Sequence, residues 1–511
     1  MFESKLDMAS EPHKKIGLFI KEVRRRRGLT QKAFAHALGT SQSAVARMEA
    51  GDQNLSTGQL LKISDVLHHQ VVGIKESVDF RIEGGHKLHG TVVTNTSKNG
   101  ALALMCTALL NKAPTTLHGI PRIEEIYRMT EVFKSIGVQL DSVDRTSLRI
   151  TPPRNFKLSS INQEAACKMR SGLMLIGAMI HQKNEFNLPH AGGCNMGDRT
   201  IAAHRHALEE FGVRIKTHDD HYQLTHKKLK PAEIVMYEAS DTATINALLA
   251  AALVPGKTVI KYAPPNYQVQ DVCFLLRQFG VRIDGVGTTT LTVYGVEEIN
   301  KEITHHNSED PIESMMFISA AAVTGSELRI ERCPIEFLEV ELLKLSYMGL
   351  LCEKSSVYFS QNGKTKLVDI TVYPSELKAS PVKIHPLPYP GLNIDNLPFF
   401  VPIATQAKGT TLIHDWAWEG RAIYFTELNR LGADIKLADP HRVFITGPTE
   451  LKSAQVVCPP ALRPAVVVLI GMLAAKGNSL LRNVYSIERG YERIAERLSE
   501  VGAHIEVVSD L

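Results

Sequence analysis

A cysteine in a glycine-rich loop is the side chain of this sequence with the clearest chemical reactivity. Cys194 lies between Gly193 and Gly197, and Arg199 follows shortly after it. The apolar spacing over residues 201–211 predicts a helix that begins just beyond the loop. A helix N-terminus and a nearby guanidinium both stabilise a thiolate relative to a thiol. The pattern favours a reactive cysteine over the commoner alternative, an inert cysteine buried in a glycine turn.

Charged residues recur in short motifs on both sides of this loop. They occupy residues 97–101, 169–171, 388–395, 419–421, 462–463 and 488–493. In this order, and together with the cysteine loop, the motifs resemble those of the UDP-N-acetylglucosamine enolpyruvyl transferases, which carry out the first committed step of peptidoglycan synthesis. The resemblance covers roughly residues 79–511. It implies that the chain uses phosphoenolpyruvate and UDP-N-acetylglucosamine.

Enolpyruvyl transfer places the three-carbon enol of phosphoenolpyruvate on a hydroxyl group by addition and then elimination of phosphate. Carbon 3 of the enol gains a proton while the hydroxyl attacks carbon 2, so the reaction needs an acid and a base. The donor carries a phosphate and a carboxylate, and several converging cations must hold them. The resemblance implies neither a metal nor an organic cofactor.

The resemblance assigns donor chemistry to particular residues. Cys194 stands where the family's thiol protonates carbon 3, forms an adduct with the donor and is alkylated by fosfomycin. Asp395 stands where a carboxylate takes the acceptor's proton or deprotonates carbon 3. The positions that grip the donor's phosphate or carboxylate are Lys98, Arg199, Arg421, Arg463 and Arg489, with Arg170 as a further active-site arginine.

The acceptor site matches the family only in part. Three residues stand at family positions near the sugar nucleotide, namely Asn99, Asn246 and His204. Two aspartates of the family are replaced, one by Ala202 and one by Ala461. Residues 263–268 lack the two acids and the arginine of the corresponding family segment. These departures leave open a transferase that acts on a different nucleotide acceptor.

Length and composition indicate a chain of several domains in a reducing compartment. The 511 residues, 44% of them hydrophobic, can bury several cores. No apolar run approaches the ~20 residues needed to span a bilayer, and the polar N-terminus lacks the apolar core of a signal peptide. The seven cysteines are scattered and form no C-x-x-C pair, which argues against a disulfide framework and a cysteine zinc site. We therefore expect a cytoplasmic protein.

The excess of positive charge lies at the N-terminus. Residues 1–76 contain 12 Lys and Arg against 8 Asp and Glu and so carry the entire net charge of +4. A basic module on a neutral body is typical of a unit that binds a polyanion. Apolar spacing predicts helices over residues 16–27, 31–38, 42–50 and 57–67. The frame Gln31-x3-Ala35-x3-Gly39-x5-Val45-x3-Glu49-x-Gly51 resembles the helix-turn-helix of phage-repressor-like regulators.

This second resemblance implies specific contacts with DNA. Gln42, Ser43 and Arg47 are expected to project from the recognition helix towards base edges. Gln31 is expected to grip a phosphate, and some of the arginines at positions 24–27 to meet the DNA backbone. Because such domains usually bind paired half-sites, a homodimer formed through residues 1–76 is also implied.

From about residue 100 onward the chain repeats one unit six times. Each unit has an apolar strand, a helix that ends in a hydrophobic-Gly-hydrophobic turn, and another strand. The glycines of these turns are Gly137, Gly212, Gly280, Gly349, Gly432 and Gly502. Six such units resemble the two-domain enolpyruvyl transferase fold, an inside-out α/β barrel, here preceded by an all-α helix-turn-helix domain.

The resemblance also implies the domain limits. Residues 1–76 form the DNA-binding domain, residues 79–96 with 310–511 form domain I, and residues 97–309 form domain II with the cysteine loop. Two hinge strands are expected to run side by side near Asn95 and His305. The active site is expected in the cleft between the two domains, where pockets are commonly found.

Two functions of different class fit these observations. In the first, the chain is an enolpyruvyl transferase with an appended DNA-binding domain. In the second, it is a transcription regulator whose enzyme-like body is a degenerate sensor for a UDP-sugar. A sensor is free to lose Lys98, Cys194 and Asp395, yet all three are present, which favours the enzyme.

Overall fold

The computed structural model of the chain divides into an N-terminal unit up to residue 76 and a body formed by residues 77–509. It describes residues 16–18, 20, 21, 24, 25, 29–53, 55, 56, 59, 60, 62, 63, 66, 78–192 and 200–509. No helix in this described part is long and apolar enough to cross a membrane. Each unit has a hydrophobic core of its own.

Two helices, Gln31–Leu38 and Gln42–Ala50, form the centre of the N-terminal unit and confirm the two predicted spans. The hydroxyl of Ser41 caps the second helix by accepting from the backbone N–H of Ala44. Gly39 ends the first helix with a φ of 65°, a left-handed conformation that favours glycine. The small core contains Phe34, Leu38, Val45 and Met48, together with Ile20, Ala35 and Ile63.

The body contains two further hydrophobic cores that the chain builds from different segments. One core is made by residues between 101 and 299, and the other by residues 80–92 together with residues 312–503. Each core is bordered by three of the six sheets found among the described residues. The structure is thus an α/β fold with six sheets around buried helices, as the six repeated units predicted.

Three sheets surround the first core. In spatial order, their strands are Ile303–His306, Thr115–His118, Leu148–Thr151 and Gln139–Ser142; Glu185–Pro189, His221–Thr225 and Arg214–Thr217; and Arg282–Asp284, Thr290–Gly295, Gly256–Lys261 and Glu233–Val235. The helices of this part are Lys98–Ala108, Glu124–Ser135, Gln163–Cys167, Leu175–Met179, Ala202–Glu209, Asp241–Ala252 and Tyr267–Gln278, with 3-10 turns at Leu158–Ser160 and Ser171–Met174.

Three more sheets surround the second core. They are Leu351–Lys354, Lys366–Tyr373, Leu328–Pro334 and Thr91–Val93, with Tyr358–Phe359 beside Lys366–Tyr373; Gly409–His414, Arg442–Gly447 and Asp434–Asp439; and Gln455–Val457, Gly477–Arg482, Val78–Gly84 and His504–Ser509. The helices are Pro311–Thr324, Glu339–Tyr347, Phe400–Gln406, Leu462–Ala474, Tyr485–Glu488 and Ile494–Glu500, with 3-10 segments Ile335–Phe337, Leu397–Phe399 and Ala422–Leu431.

The six repeated glycines each precede the edge strand of one sheet and have positive φ angles between 87° and 100°. The left-handed backbone conformation at these glycines ends each helix and directs the chain into the following strand. The glycine pattern therefore identified one turn in every sheet of the body. Four helices, by contrast, are buried almost all round, as expected for the centre of a large core: Lys98–Ala108, Asp241–Ala252, Pro311–Thr324 and Leu462–Ala474.

The chain passes between the two cores at two neighbouring segments. Thr96 forms an antiparallel bridge with Glu309. The backbone N–H of Ser97 donates to the carbonyl of Ser308 over 2.7 Å, and that of Asp310 donates to the carbonyl of Asn95 over 2.8 Å. The two connecting segments therefore run side by side.

Candidate active site

A cavity of about 760 Å³ lies in the body between the two cores. Helices of both cores place their first turns in its wall: Lys98 and Asn99, Asp241 and Thr242, Tyr267, Ile312, and Leu462 and Arg463 all line it. A helix N-terminus carries a partial positive charge and unpaired N–H groups, so it favours bound anions. The N-termini of several buried helices thus add to the positive electrostatic potential that the lysine and arginine side chains create in this cavity.

Lys98 occupies the first position of its helix because the hydroxyl of Ser97 caps the helix, accepting from the N–H of Gly100. Glycine is required at position 100, since a Cβ there would lie 2.6 Å from the Oδ1 atom of Asn307. The ammonium of Lys98 donates to the carboxylate of Glu125. The chain therefore holds this cation in a fixed place on the cavity wall.

Glu125 lies between two cations contributed by different cores. Besides Lys98, its carboxylate faces Arg489, with 3.5 Å between Oε1 and Nη2. Burial raises the pKa of Glu125, but the charges of Lys98 and Arg489 outweigh it and hold the pKa below its usual value. An ionised acid thus joins the two sides of the cavity, and sequence reasoning did not identify it. Glu125 follows Glu124 in the first turn of a helix, where acids are common, so no local signal marks it.

Asp395 lies among arginines on the other side of the cavity. Its Oδ2 atom accepts from Nη2 of Arg463 over 3.3 Å, and its Oδ1 atom is 3.8 Å from Nη1 of Arg421. Burial opposes ionisation of this carboxyl group, but the charges of Arg463, Arg421 and Lys98 are stronger and lower its pKa. Asp395 is therefore an ionised carboxylate, the state that a proton acceptor needs.

Arg421 is fully buried and is held by Asp415, an acid that lies outside the motifs recognised in the sequence. Nε and Nη2 of Arg421 donate to the two carboxylate oxygens of Asp415 over 2.5 and 2.9 Å. Nη2 also donates to the carbonyl of Ile394. This bidentate geometry fixes the plane of the guanidinium. The remaining Nη1 atom is buried without a hydrogen-bond partner among the described residues.

Arg463 is positioned by Tyr491, a residue of the last charged motif. Nη1 of Arg463 donates to the Tyr491 hydroxyl over 2.7 Å. The phenol is buried, and burial raises its pKa, so it stays neutral and acts as the acceptor of this bond. The structure therefore brings Lys98, Asp395, Arg421, Arg463 and Arg489 together in one cavity, as the order of the motifs predicted.

Three further predicted site residues, Asn99, Arg170 and His204, lie on the cavity wall on the side of the first core. Asn99 donates from Nδ2 to the Tyr267 hydroxyl over 3.3 Å. Arg170 lines the cavity and donates from Nη2 to the carbonyl of Thr200 over 2.7 Å. His204 also lines the cavity, and burial lowers its pKa to about 3, which keeps the imidazole neutral.

Asn246 takes a different place from the other predicted site residues. Its side chain is completely buried behind His204 and does not line the cavity. Nδ2 donates to the carbonyl of Leu173 and lies 2.8 Å from Nδ1 of His204, while Oδ1 accepts from the N–H of Gly177. In this structure Asn246 orients His204 and has no side-chain atom at the cavity surface.

Two predicted site residues, Cys194 and Arg199, lie in the segment 193–199, outside the described residues. Thr200, the residue that follows this segment in the chain, lines the cavity. The helix predicted after the loop is present as Ala202–Glu209.

The candidate DNA-reading residues lie on the N-terminal unit. Gln42, Ser43 and Arg47 are exposed on the helix Gln42–Ala50, as a recognition helix requires. The side chain of Gln31 donates from Nε2 to Glu49 over 2.9 Å. Arg24 is buried and forms an ion pair with the same carboxylate. Arg24 is therefore not one of the arginines that can meet the DNA backbone, because this side chain is buried and paired within the core.

Comparison with known proteins agrees with this geometry. A family model described as EPSP synthase (3-phosphoshikimate 1-carboxyvinyltransferase) matches residues 82–498, and a helix-turn-helix model matches residues 20–68. A UDP-N-acetylglucosamine 1-carboxyvinyltransferase from Treponema denticola is 34% identical over 84% of this chain and 99% of its own length. One from Bradyrhizobium diazoefficiens is 32% identical over 85% of this chain and 99% of its own.

Solved structures show the same fold. The enolpyruvyl transferase NikO from Streptomyces tendae superposes with a TM-score of 0.73 and 23% identity, covering 85% of this chain and all of its own. An EPSP synthase from Acinetobacter baumannii superposes with a TM-score of 0.65 over 84% of this chain. From the matched length, the identity to its relatives and the shared fold, the chain belongs to the EPSP synthase family of carboxyvinyl (enolpyruvyl) transferases, with a helix-turn-helix unit ahead of the family's fold.

Proposed function

We propose that this chain transfers the enolpyruvyl group of phosphoenolpyruvate to the 3-hydroxyl of UDP-N-acetylglucosamine. The observation that carries the proposal is the arrangement of Lys98, Arg421, Arg463 and Arg489 around one cavity that also contains an ionised Asp395. Such a set suits a small donor with a phosphate and a carboxylate beside a hydroxyl that must lose its proton. The names of the curated relatives support the acceptor.

In this proposal each charged residue has a distinct task. Lys98 and Arg489 bind one anionic group of the donor, and Glu125 keeps their side chains in place before the donor arrives. Arg421, fixed by Asp415, presents its Nη1 atom, which lacks a hydrogen-bond partner among the described residues, to the other anionic group. Asp395 accepts the proton of the acceptor hydroxyl as that oxygen attacks carbon 2. Cys194 supplies the proton to carbon 3, a role that rests on the family resemblance.

The domain limits also belong to the proposal. Residues 79–96 with 310–511 form one domain and residues 97–309 the other, in line with the two hydrophobic cores. The side-by-side segments near Asn95 and Ser308 are the hinge. Because Glu125 and Arg489 belong to different cores, opening of the cavity must break their ion pair. Donor binding can replace that interaction and so hold the two domains closed.

We further propose that the N-terminal unit binds duplex DNA as a homodimer and links gene control to the enzyme. The exposed positions of Gln42, Ser43 and Arg47 support base contacts. The cytoplasm is the compartment that fits such a protein, and the six cysteines that the structure describes are all unpaired thiols, as expected where thiols stay reduced.

A sensor that only binds a UDP-sugar remains the alternative of another class. The buried Asp415–Arg421 pair and the lowered pKa of Asp395 are features of a working donor site, and ligand sensing does not need them. Mass spectrometry of the products decides between the two. The enzyme must yield an enolpyruvyl ether of UDP-N-acetylglucosamine from phosphoenolpyruvate, whereas a sensor returns the sugar nucleotide unchanged.

A further inference from the structure

A second carboxylate in the cavity, Asp241, has no part in the chemistry described above. It is the first residue of the helix Asp241–Ala252 and lines the cavity on the side of the first core. Two amide side chains donate to its Oδ2 atom: Nδ2 of Asn266 over 2.9 Å and Nε2 of Gln268 over 2.5 Å. The carboxylate is therefore fixed in one orientation.

The other oxygen of Asp241 is the one available to a ligand. No hydrogen bond to Oδ1 is formed within the described part of the chain, and Asp241 has no lysine or arginine partner there. The residue is half-buried, so this oxygen is shielded from bulk solvent without being sealed in the core. A partly buried carboxylate oxygen that lacks a donor is costly, and a donor on a ligand can satisfy it.

The charge of Asp241 survives at neutral pH. Its pKa is raised to about 6, because burial and the charge of Asp395 outweigh the lowering effect of the hydrogen bonds from Asn266 and Gln268. Asp241 and Asp395 both line the cavity. An acceptor that fills the cavity can therefore meet both carboxylates.

The amides belong to the segment 263–268, which lacks two acids that the related enolpyruvyl transferases have there. Acids at positions 266 and 268 would stand 2.5 to 2.9 Å from the carboxylate of Asp241 and repel it. Amide side chains at positions 266 and 268 are therefore compatible with an ionised Asp241, and acids at these positions would not be.

We propose that Asp241, oriented by Asn266 and Gln268, determines acceptor specificity by accepting a hydrogen bond from a hydroxyl or amide N–H group of the acceptor. A fixed carboxylate binds such donors strongly and repels a phosphate or carboxylate at the same place. An acceptor that presents an N-acetylamino or hydroxyl group there is selected. This inference rests on the proposed transferase function.

Asp241→Asn tests the proposal because it replaces the hydrogen-bond acceptor Oδ1 with a hydrogen-bond donor. The donors on Asn266 and Gln268 require an oxygen at the Oδ2 site, so the new amide must direct its NH2 group into the cavity. The expected result is a 10- to 100-fold rise in the KM for UDP-N-acetylglucosamine, the effect of losing a hydrogen bond to a charged group. The KM for phosphoenolpyruvate should change less than threefold. Asp284→Asn, at an exposed acid paired with Arg282, is the matched control and should change neither constant.

A merely structural role of Asp241 gives a different result. In that case Asp241→Asn lowers the melting temperature and raises both KM values together, or leaves the acceptor KM unchanged, and either outcome overturns the proposal.

Gln268→Glu is the second variant, because it places a like charge beside Asp241 without altering the cavity-facing oxygen directly. The proposal expects this variant to weaken the binding of UDP-N-acetylglucosamine and not that of phosphoenolpyruvate. Equal weakening of the binding of both substrates would count against it.

Equilibrium binding separates this inference from the proposed function. Titration calorimetry with UDP-N-acetylglucosamine and with UDP-glucose, which lacks the amide, gives the dissociation constants without turnover. If the wild-type chain binds but does not react, the transferase function fails, while a 10-fold or larger loss of affinity in Asp241→Asn still supports Asp241 as the specificity residue. If the wild-type chain binds neither nucleotide, or if the variant binds both as the wild type does, the inference is wrong.

Discussion

Asp395 accepts a hydrogen bond of 3.3 Å from Arg463, a residue 68 positions further along the chain. Arg463 is itself held by the Tyr491 hydroxyl at 2.7 Å. The proposed base is thus fixed by a cation that also faces the donor site. Binding of the anionic donor and ionisation of the base are therefore coupled through one guanidinium.

The buried pair of Asp415 and Arg421 should be a major source of stability in the second core. Both side chains are fully buried. Breaking such a pair leaves an uncompensated charge and costs about 3 to 5 kcal/mol. We expect Asp415→Asn to lower the free energy of unfolding by about that amount in urea titrations. Glu427→Gln, which removes an exposed pair with Arg430, is the control and should cost less than about 1 kcal/mol. Equal effects would show that Asp415 contributes no more than a surface pair.

Asp271 should make stability depend on pH. Burial raises its pKa to about 7, against hydrogen bonds from Ser308 that lower it. Since the folded state binds the proton more tightly than the unfolded chain, this contribution is fully present below about pH 4 and is lost as the pH rises through about 7. We expect Asp271→Asn to flatten the change in unfolding free energy between pH 5 and pH 8. An unaltered slope in the variant would exclude Asp271 as the titrating group.

Fosfomycin should alkylate Cys194 in preference to every other cysteine. Burial raises the pKa values of Cys106, Cys273, Cys333 and Cys458, and their thiols are enclosed. Cys167 is exposed, but burial of its sulfur raises its pKa as well. Peptide mapping by mass spectrometry identifies the modified residue. An adduct on Cys167 with Cys194 unmodified would contradict the reactive role of the loop.

Arg47 should contribute sequence specificity to DNA binding by the full chain. In a selection from random duplexes we expect enrichment of a two-fold symmetric site, and Arg47→Ala should weaken that site by roughly 1 to 3 kcal/mol relative to other sequences. Lys32→Ala, at an exposed lysine, should instead weaken all duplexes alike and reduce the salt dependence. Absence of any enriched sequence would reject the DNA-reading role while leaving the enzyme unaffected.

The sequence predicted features that depend on local pattern. The six glycines located the turns of the sheets because a left-handed helix end excludes most other residues. The motif order predicted Lys98, Asp395 and several arginines that the structure places on the wall of one cavity. Glu125 and Asp241 were missed because their partners lie 25 or more positions away in the chain. Asp415 was missed because it lies outside the recognised motifs, although its partner Arg421 is six positions away. The burial of Arg24 was also missed, since its partner Glu49 is 25 positions away.

Release of phosphate is the most direct test of the proposed transferase. Wild-type protein should release phosphate from phosphoenolpyruvate only when UDP-N-acetylglucosamine is also present. Lys98→Ala should slow the reaction by about 100-fold or more, because one charge-assisted contact in a closed site is worth roughly 3 kcal/mol. Lys112→Ala, which removes an exposed lysine paired with Glu298, should leave the rate unchanged. Persistent binding of the sugar nucleotide by the wild-type protein without any release of phosphate would contradict the transferase and favour the sensor.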